Sequence, residues 1–191
     1  MRVFIAVLVL IFSLQSLTKA DDIKDFEIEG ISIGDSLLDF FSEEEIKNKE
    51  KFYHYATKEY YQILLDENIQ MYDVVTLHLK ENDNSYMIKN VEGVIEFKDK
   101  NKKKCENTMK EIGKSINENF NLKSKNDEGK LSWDKTGKSN YKRISFMAPG
   151  TNRYNISVIC QYWHQSTPFP YVLKTSINSK EFGIYLTTKA Y

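Results

Sequence analysis

Residues 154–163 have the sequence YNISVICQYW, the longest alternating run of apolar and polar side chains in this chain. Successive side chains of a β-strand point to opposite faces, so every second residue of the run shares one face. The residues on the apolar face are Tyr154, Ile156, Val158, Cys160 and Tyr162. The run predicts a strand in which Cys160 points toward the core.

A second segment, residues 104–120, changes the apolar spacing from two to three or four. Such spacing places the apolar side chains on one stripe of an α-helix. The residues of this stripe are Cys105, Met109, Ile112, Ile116 and Phe120. We expect this amphipathic helix to lie on a sheet that contains the strand at 154–163.

Cys105 and Cys160 are the two cysteines of the chain. Their separation differs from the close C-x-x-C spacing of redox-active pairs, and an even number of cysteines in an exported protein indicates a structural disulfide. We therefore predict a bridge that joins the first turn of the helix to the strand. Closing so long a loop contributes roughly 4 kcal/mol in the chain-entropy model.

Further β-branched and aromatic runs predict more strands. These runs are residues 60–65, 72–79, 86–97, 143–147 and 171–177. A polar turn at 81–84 joins two of them as a hairpin, and residues 148–152 form another turn. Strands that cluster apart from helices predict an α+β fold: a mainly antiparallel sheet with the long amphipathic helix packed on one face and short helices at the N- and C-termini.

The predicted short helices are marked by their capping residues. After an extended piece at residues 26–33, Asp35 or Ser36 caps a first short helix. Ser42 with Glu45 then forms a capping box at the start of a second one. Near the other end, Ser179 caps a final helix that carries Phe182, Tyr185 and Leu186.

Residues 1–20 have the pattern of a cleavable signal peptide. Arg2 precedes an apolar stretch, and Thr18 and Ala20 place small residues before the cleavage site. The unbroken apolar core, residues 3–12, is shorter than the roughly 20 residues of a membrane-spanning helix. We expect residues 21–191 to form a single α+β domain that is periplasmic or secreted, with no membrane span after cleavage.

The charge balance bears on the class of partner. Without Arg2 and Lys19, the chain has 25 basic and 27 acidic residues. This balance argues against nucleic acid as the principal partner, because phosphate binding needs a basic surplus. The one basic run consists of Lys98, Lys100 and residues 102–104; we interpret it as a solvated loop before the helix, with an anion site as the alternative.

No combination of residues indicates catalysis, a metal or a cofactor. Residues 136–139 contain the Gly-Lys-Ser of a phosphate-binding loop, but Ser132 stands where that motif requires its first glycine. His54, His78 and His164 are far apart and lack metal-ligand spacing. We therefore assign no catalytic residue, no metal site and no cofactor.

Three segments carry a resemblance: residues 28–46 (IEGISIGDSLLDFFSEEEI), 134–139 (DKTGKS) and 180–182 (KEF). They resemble uncharacterised exported proteins of streamlined marine alphaproteobacteria. The resemblance implies a periplasmic location and carries no activity over to this chain.

Our functional prediction is a non-catalytic binding or protein-interaction module with a protein or small-molecule partner. Two aromatic-rich segments supply its candidate surface: Tyr53, Tyr55, Tyr60, Trp163, His164 and Phe169. The alternative is a hydrolase-type enzyme with a site assembled from residues distant in sequence. A pocket that joins a histidine to a carboxylate or hydroxyl would favour the enzyme, whereas an aromatic patch or an open groove would favour binding.

The leader sequence gives a direct prediction. Protein recovered from a cell envelope fraction should have the intact mass of a chain that begins at Asp21. A mass that still includes residues 1–20 would contradict signal cleavage.

Overall fold

A computed structural model of the protein describes residues 25–132, 134–147 and 154–190. The predicted signal peptide, residues 1–20, and the predicted turn at 148–152 lie outside the described residues, as does the side chain of Tyr154. The strands are β1 (Tyr60–Leu65), β2 (Val74–Lys80), β3 (Ile88–Phe97), β4 (Ser124–Lys130), β5 (Asn140–Met147), β6 (Tyr154–Tyr162) and β7 (Tyr171–Asn178). The α-helices are α1 (Glu43–Asn48), α2 (Lys102–Phe120) and α3 (Lys180–Thr188), and a 3-10 helix spans Leu37–Asp39.

All seven strands belong to one open sheet in the order β1-β2-β3-β7-β6-β5-β4. Every pair of neighbours is antiparallel. The predicted α+β class with a mainly antiparallel sheet is therefore confirmed. The strands β1 and β4 form the two edges.

One face of the sheet carries the main core. Cross-strand partners share a face, and one row of apolar partners crosses six strands: Phe146, Ile156, Ile177, Val91, Leu77 and Ile63. Each of these side chains is buried. Burying an aliphatic side chain contributes about 1.5–3 kcal/mol, so rows of this kind supply most of the folding free energy.

Helix α2 contacts β5, β6 and β7. Asn101 caps its start by accepting a hydrogen bond from the Lys104 backbone N–H at 3.0 Å. Cys105 in the first turn is bonded to Cys160 of β6, with the two Cα atoms 6.1 Å apart. The predicted disulfide is thus confirmed, and both cysteines are fully buried.

Gly113 lets α2 approach the sheet closely. A Cβ atom at this position would lie 2.9 Å from Cδ1 of Ile144 on β5, which is closer than carbon atoms pack. A side chain at this position would therefore require the end of the Ile144 side chain to shift. The described part of the chain has no helix that is long and apolar enough to cross a bilayer.

The N-terminal segment differs from its prediction. Ile28 and Ile31 exchange two backbone hydrogen bonds of 3.0 and 3.1 Å, and Glu29 and Gly30 between them have positive φ angles. These residues form a tight two-residue turn, so the prediction of one extended piece at 26–33 is wrong. The apolar residues of this segment favour an extended chain. Gly30, however, readily adopts the positive φ that the turn requires.

Strand β4 was not predicted. Its sequence, SKNDEGK, has no apolar alternation, and most of its side chains are exposed. It is an edge strand paired on one side with β5, and charged side chains on an edge discourage pairing with other chains.

The disulfide gives a stability prediction. The bridge closes a loop between residues 55 apart, so the Cys105→Ala/Cys160→Ala variant should lose about 4 kcal/mol of unfolding free energy. Urea denaturation of the oxidised protein and of the variant measures this difference. Equal denaturation midpoints would show that the bridge does not stabilise the fold.

Candidate functional site

The second face of the sheet, called here the polar face, is lined largely by hydrophilic side chains. One row of cross-strand partners crosses six strands: Lys125, Ser145, Ser157, Ser176, Glu92 and Thr76. The hydroxyl oxygens of Ser157 and Ser176 are 3.0 Å apart, and Lys174 Nζ donates to Glu92 Oε1 at 2.8 Å. Hydrogen bonds and ion pairs within the sheet thus engage much of this face.

Arg143 and Asp127 form a two-point ion pair on the polar face. Arg143 Nε and Nη2 donate to the two carboxylate oxygens of Asp127 at 3.0 and 2.6 Å. These hydrogen bonds hold the pKa of Asp127 below its usual value. Because the guanidinium is already engaged, we do not assign it to a ligand.

The sheet separates the two predicted aromatic segments. The strand register defines a Tyr60 end, which includes Tyr60, Lys80, Ile88 and Asn178, and a Tyr162 end, which includes Leu65, Phe97, Tyr171 and Tyr162. Tyr53 and Tyr55 precede β1 at the Tyr60 end, whereas Trp163, His164 and Phe169 follow β6 at the Tyr162 end. The six candidate residues therefore do not form one surface.

Tyr60 is a core side chain, and its assignment to an exposed surface is corrected. It is fully buried, with its ring centroid 5.0 Å from that of Phe182 and 4.6 Å from that of Tyr185. Both partners belong to α3, which packs on the polar face. The physical reason is a second hydrophobic cluster at the Tyr60 end of the sheet.

Tyr55 takes part in a polar chain beneath α3. The Tyr55 hydroxyl is 3.1 Å from His78 Nε2, and His78 Nδ1 is 2.7 Å from Asn90 Oδ1. The amide nitrogen of Asn90 donates to the Ile177 carbonyl, so its oxygen accepts from His78. We therefore assign the proton to Nδ1, and Nε2 accepts from Tyr55.

The hydrogen-bonded side chains of Tyr55, His78 and Asn90 meet part of the criterion for an enzyme, because they join a histidine to a hydroxyl. However, His78 is 7% exposed, and the Phe182 ring that lies 4.9 Å from it is buried. Burial also lowers the pKa of His78, so the imidazole is neutral near pH 7. In this position the hydrogen-bonded side chains hold α3 and residues 55–57 on the sheet rather than presenting a base to a substrate.

Tyr53 is separated from this cluster. Its side chain is 40% exposed, and its hydroxyl donates to Glu81 Oε2 at 2.8 Å. Glu81 also pairs with Lys51 at 3.5 Å. Tyr53 can therefore contribute to a contact, but at the Tyr60 end.

Trp163 and Phe169 form an aromatic pair in the connection between β6 and β7. Their ring centroids are 4.9 Å apart, and Phe169 is 51% exposed, more than any other large hydrophobic side chain of the described residues. We call residues 163–170 the aromatic loop. Its rings remain at the surface because the neighbouring strands end at Tyr162 and Tyr171.

Hydrogen bonds at residues 164 and 167 hold the first half of the aromatic loop. The His164 backbone N–H donates to the hydroxyl of Ser139 at 2.9 Å, and Ser139 is fully buried. Thr167 donates from its N–H and from its hydroxyl to the His164 carbonyl, at 2.9 and 2.7 Å. Lys100 Nζ donates to the Thr167 carbonyl at 3.0 Å.

His164 is bonded within the loop. Its Nδ1 accepts from the hydroxyl of Ser166 at 2.7 Å and from the Ser166 backbone N–H at 3.2 Å. Among residues 25–132, 134–147 and 154–190, no group of three or more His, Cys, Asp or Glu side chains is arranged to hold a metal ion.

Comparison of the chain with family models, with curated proteins and with solved structures finds no match.

Sequence reasoning missed the residues that hold these sites in place. Ser139 and Lys100 anchor the aromatic loop from 25 and 67 residues away in sequence, and Asn90 orients His78 from the next strand. Lys100 belongs to the basic run and Ser139 to the segment 136–139, but neither pattern indicates a contact with the aromatic loop, and Asn90 has no local motif. The alternation of apolar side chains along β2 places His78 on the face opposite Leu77 and Leu79. This was the sequence signal that His78 lies outside the main core.

The buried His78 predicts acid sensitivity. Its pKa in the folded protein lies below the ordinary value of 6.5, so the unfolded chain binds the proton more readily. The stability that the neutral His78 contributes is complete above pH 6.5 and is lost as the pH falls through the pKa of His78 in the folded protein. In wild type, the free energy of unfolding measured in urea should be lower at about pH 5 than at about pH 7.5. This decrease should be smaller in His78→Gln.

His164→Gln is the matched control, because its ring lies outside the cluster at the Tyr60 end. Its pH dependence is measured alongside, so that the effect of removing His78 is compared with the effect of removing another histidine. An unchanged pH dependence in His78→Gln would show that His78 is not the titrating group.

Proposed function

We propose that this chain is a non-catalytic binding or protein-interaction module of an exported compartment, periplasmic or secreted. The disulfide supports this compartment, because such bonds persist in oxidising spaces and are rare in the cytosol. The leader pattern of residues 1–20 and the resemblance to exported proteins agree with it. A near-neutral charge balance argues against nucleic acid as the principal partner.

The aromatic loop is the observation that carries the proposal. Exposed Trp and aromatic side chains account for much of the energy of protein contacts, and burying Phe169 against a partner would remove apolar surface from water. Trp163 supports the Phe169 ring from one side. Ser139 and Lys100 already fix the loop backbone, so binding loses little conformational entropy.

The contact surface therefore consists of Trp163, His164 and Phe169. Tyr53 lies at the other end of the sheet and would belong to a separate contact. Tyr55 and Tyr60 stabilise the fold. A protein or a small molecule with an apolar group can occupy such a surface.

The alternative function is a hydrolase-type enzyme, which the hydrogen bond between Tyr55 and His78 favours. A reacting substrate would need to reach His78 Nε2, where Tyr55 now donates, beneath Phe182. Opening that position requires the Tyr55 side chain to leave its hydrogen bond with His78. The folded arrangement therefore supports binding better than catalysis.

The binding proposal predicts the effect of removing one ring. Phe169→Ala should weaken capture of the partner roughly 30-fold, the size of a hot-spot loss. Its unfolding free energy should change by no more than about 0.5 kcal/mol, as for a surface side chain. Crosslinking and pull-down from intact cell envelopes measures capture, and a ligand thermal-shift screen extends the test to small molecules.

Phe40→Ala is the matched control. Phe40 is 42% exposed and follows the 3-10 helix Leu37–Asp39, away from the aromatic loop. This variant should retain wild-type capture. If Phe169→Ala and Phe40→Ala behave alike, the aromatic loop is not the contact surface.

A further inference from the structure

The basic run of the sequence lies beside the aromatic loop. Phe97 pairs with Tyr171 at the Tyr162 end of the sheet, so the lysines that follow it emerge at this end. Lys100 Nζ reaches the Thr167 carbonyl at 3.0 Å and joins the two segments. The basic run and the aromatic loop, which are distant in sequence, thus lie together at this end of the sheet.

Most of these lysines are exposed, and their ion pairs are weak. Lys98 is 85% exposed and lies 3.8 Å from Glu96, while Lys102 is 53% exposed and lies 3.9 Å from Glu106. Glu106 has a closer partner in Lys142, at 2.9 Å. Exposed pairs of this length contribute little free energy. Residues 96–106 contain five lysines and the three carboxylates of Glu96, Asp99 and Glu106, so this segment keeps a net positive charge.

The position of the lysines is unfavourable for the helix itself. Residues 102–104 are all lysine, and the first turn of α2 contains no acidic residue, although the helix dipole favours negative charge there. Helix α1 shows the usual arrangement, with three glutamates in its first turn. The fold does not require lysines in the first turn of α2. Such departures from the usual charge pattern are typical of functional surfaces.

The residue types distinguish between the partners that this surface could accept. Protein interfaces are enriched in arginine and depleted in lysine, and the positive charges of residues 98–104 are all lysines. Here they lie beside the exposed Phe169 and the half-buried Trp163. Lysines beside surface aromatic rings are typical of surfaces that bind anionic bilayers, where the rings enter the interface and the ammonium groups meet lipid phosphates.

We propose that the Tyr162 end docks onto an anionic lipid bilayer, with Phe169 and Trp163 in the headgroup region and Lys98, Lys102 and Lys103 against the phosphates. This inference rests on the proposed function in taking the aromatic loop as the contact surface. It names the partner as a membrane surface that the protein binds reversibly from one side.

Vesicle flotation tests the proposal. Protein from an exporting host, with an N terminus established by intact mass and identical in every variant, is mixed with vesicles of phosphatidylglycerol and phosphatidylcholine or of phosphatidylcholine alone. Wild type should float with the anionic vesicles and not with the neutral ones. Binding should weaken strongly as salt rises from about 0.1 M to 1 M, because the Debye length falls from about 10 to 3 Å.

Two variants separate the contribution of the lysine charges from that of the Phe169 ring. Lys98→Glu/Lys103→Glu should weaken binding roughly 25-fold or more, at about fivefold for each lysine lost. Phe169→Ala should weaken it at every salt concentration. Lys114→Glu/Lys123→Glu changes the net charge by the same amount and is the control. Lys114 lies about 16 Å from Lys103 along the axis of α2, and Lys123 follows the end of that helix, so this variant should retain most of the binding.

Fluorescence provides a second measurement that does not depend on affinity. In a Trp133→Phe background, Trp163 is the remaining indole of the chain. Its emission should shift to shorter wavelength on addition of anionic vesicles, because the ring leaves water. No shift in the presence of bound vesicles would overturn the proposal.

The remaining outcomes separate this inference from the proposed function. Equal binding to both vesicle types, or binding that ignores Phe169 and Lys98, overturns the lipid inference. Absence of vesicle binding with a Phe169-dependent protein crosslink also overturns it and leaves the binding module intact. Absence of both overturns the two proposals together.

Discussion

The bond between Cys105 and Cys160 is the constraint on which the arrangement of the Tyr162 end depends. It fixes the first turn of α2 against β6, an interior strand of the sheet. The lysines adjoin this turn, and the aromatic loop begins three residues after Cys160. One covalent bond therefore sets the distance between the charged and the aromatic parts of the surface. Without it, the lysine segment would depend on the packing of α2 and on the contact between Lys100 and Thr167.

The two faces of the sheet use different means of stabilisation. The face beneath α2 is covered by aliphatic and aromatic rows that exclude water. The polar face contains buried groups such as Asn90 and Gln161, which are tolerable in a protein when they are hydrogen-bonded. Asn90 meets this condition through His78 and the Ile177 carbonyl. Its network in turn determines where α3 docks, because α3 must cover the His78 ring and the Tyr60 ring at the same time.

The sequence predicts those parts of the fold that local patterns encode. Alternation located the strands that have a buried face, and the three-to-four spacing located α2 and its cysteine. It failed for β4, an edge strand with polar side chains on both faces, and for the turn at Gly30. Tyr60 shows the limit for the candidate site. An aromatic ring is exposed or buried according to what covers it, and the cover for Tyr60 is Phe182, which arrives more than 100 residues later. Counting aromatic residues in a segment cannot supply that information.

The separation of the two ends has a functional consequence. The polar chain of Tyr55, His78 and Asn90 lies at the Tyr60 end, beside the buried Phe182 ring of α3. The aromatic loop lies at the other end, held by the buried Ser139, by Lys100 and by the nearby disulfide, and its described hydrogen bonds include neither His78 nor α3. Protonation of His78 would therefore leave the hydrogen bonds of the aromatic loop in place. Stability and binding should respond to different conditions in this protein: stability to pH through His78, and binding to ionic strength through the lysines beside Phe169.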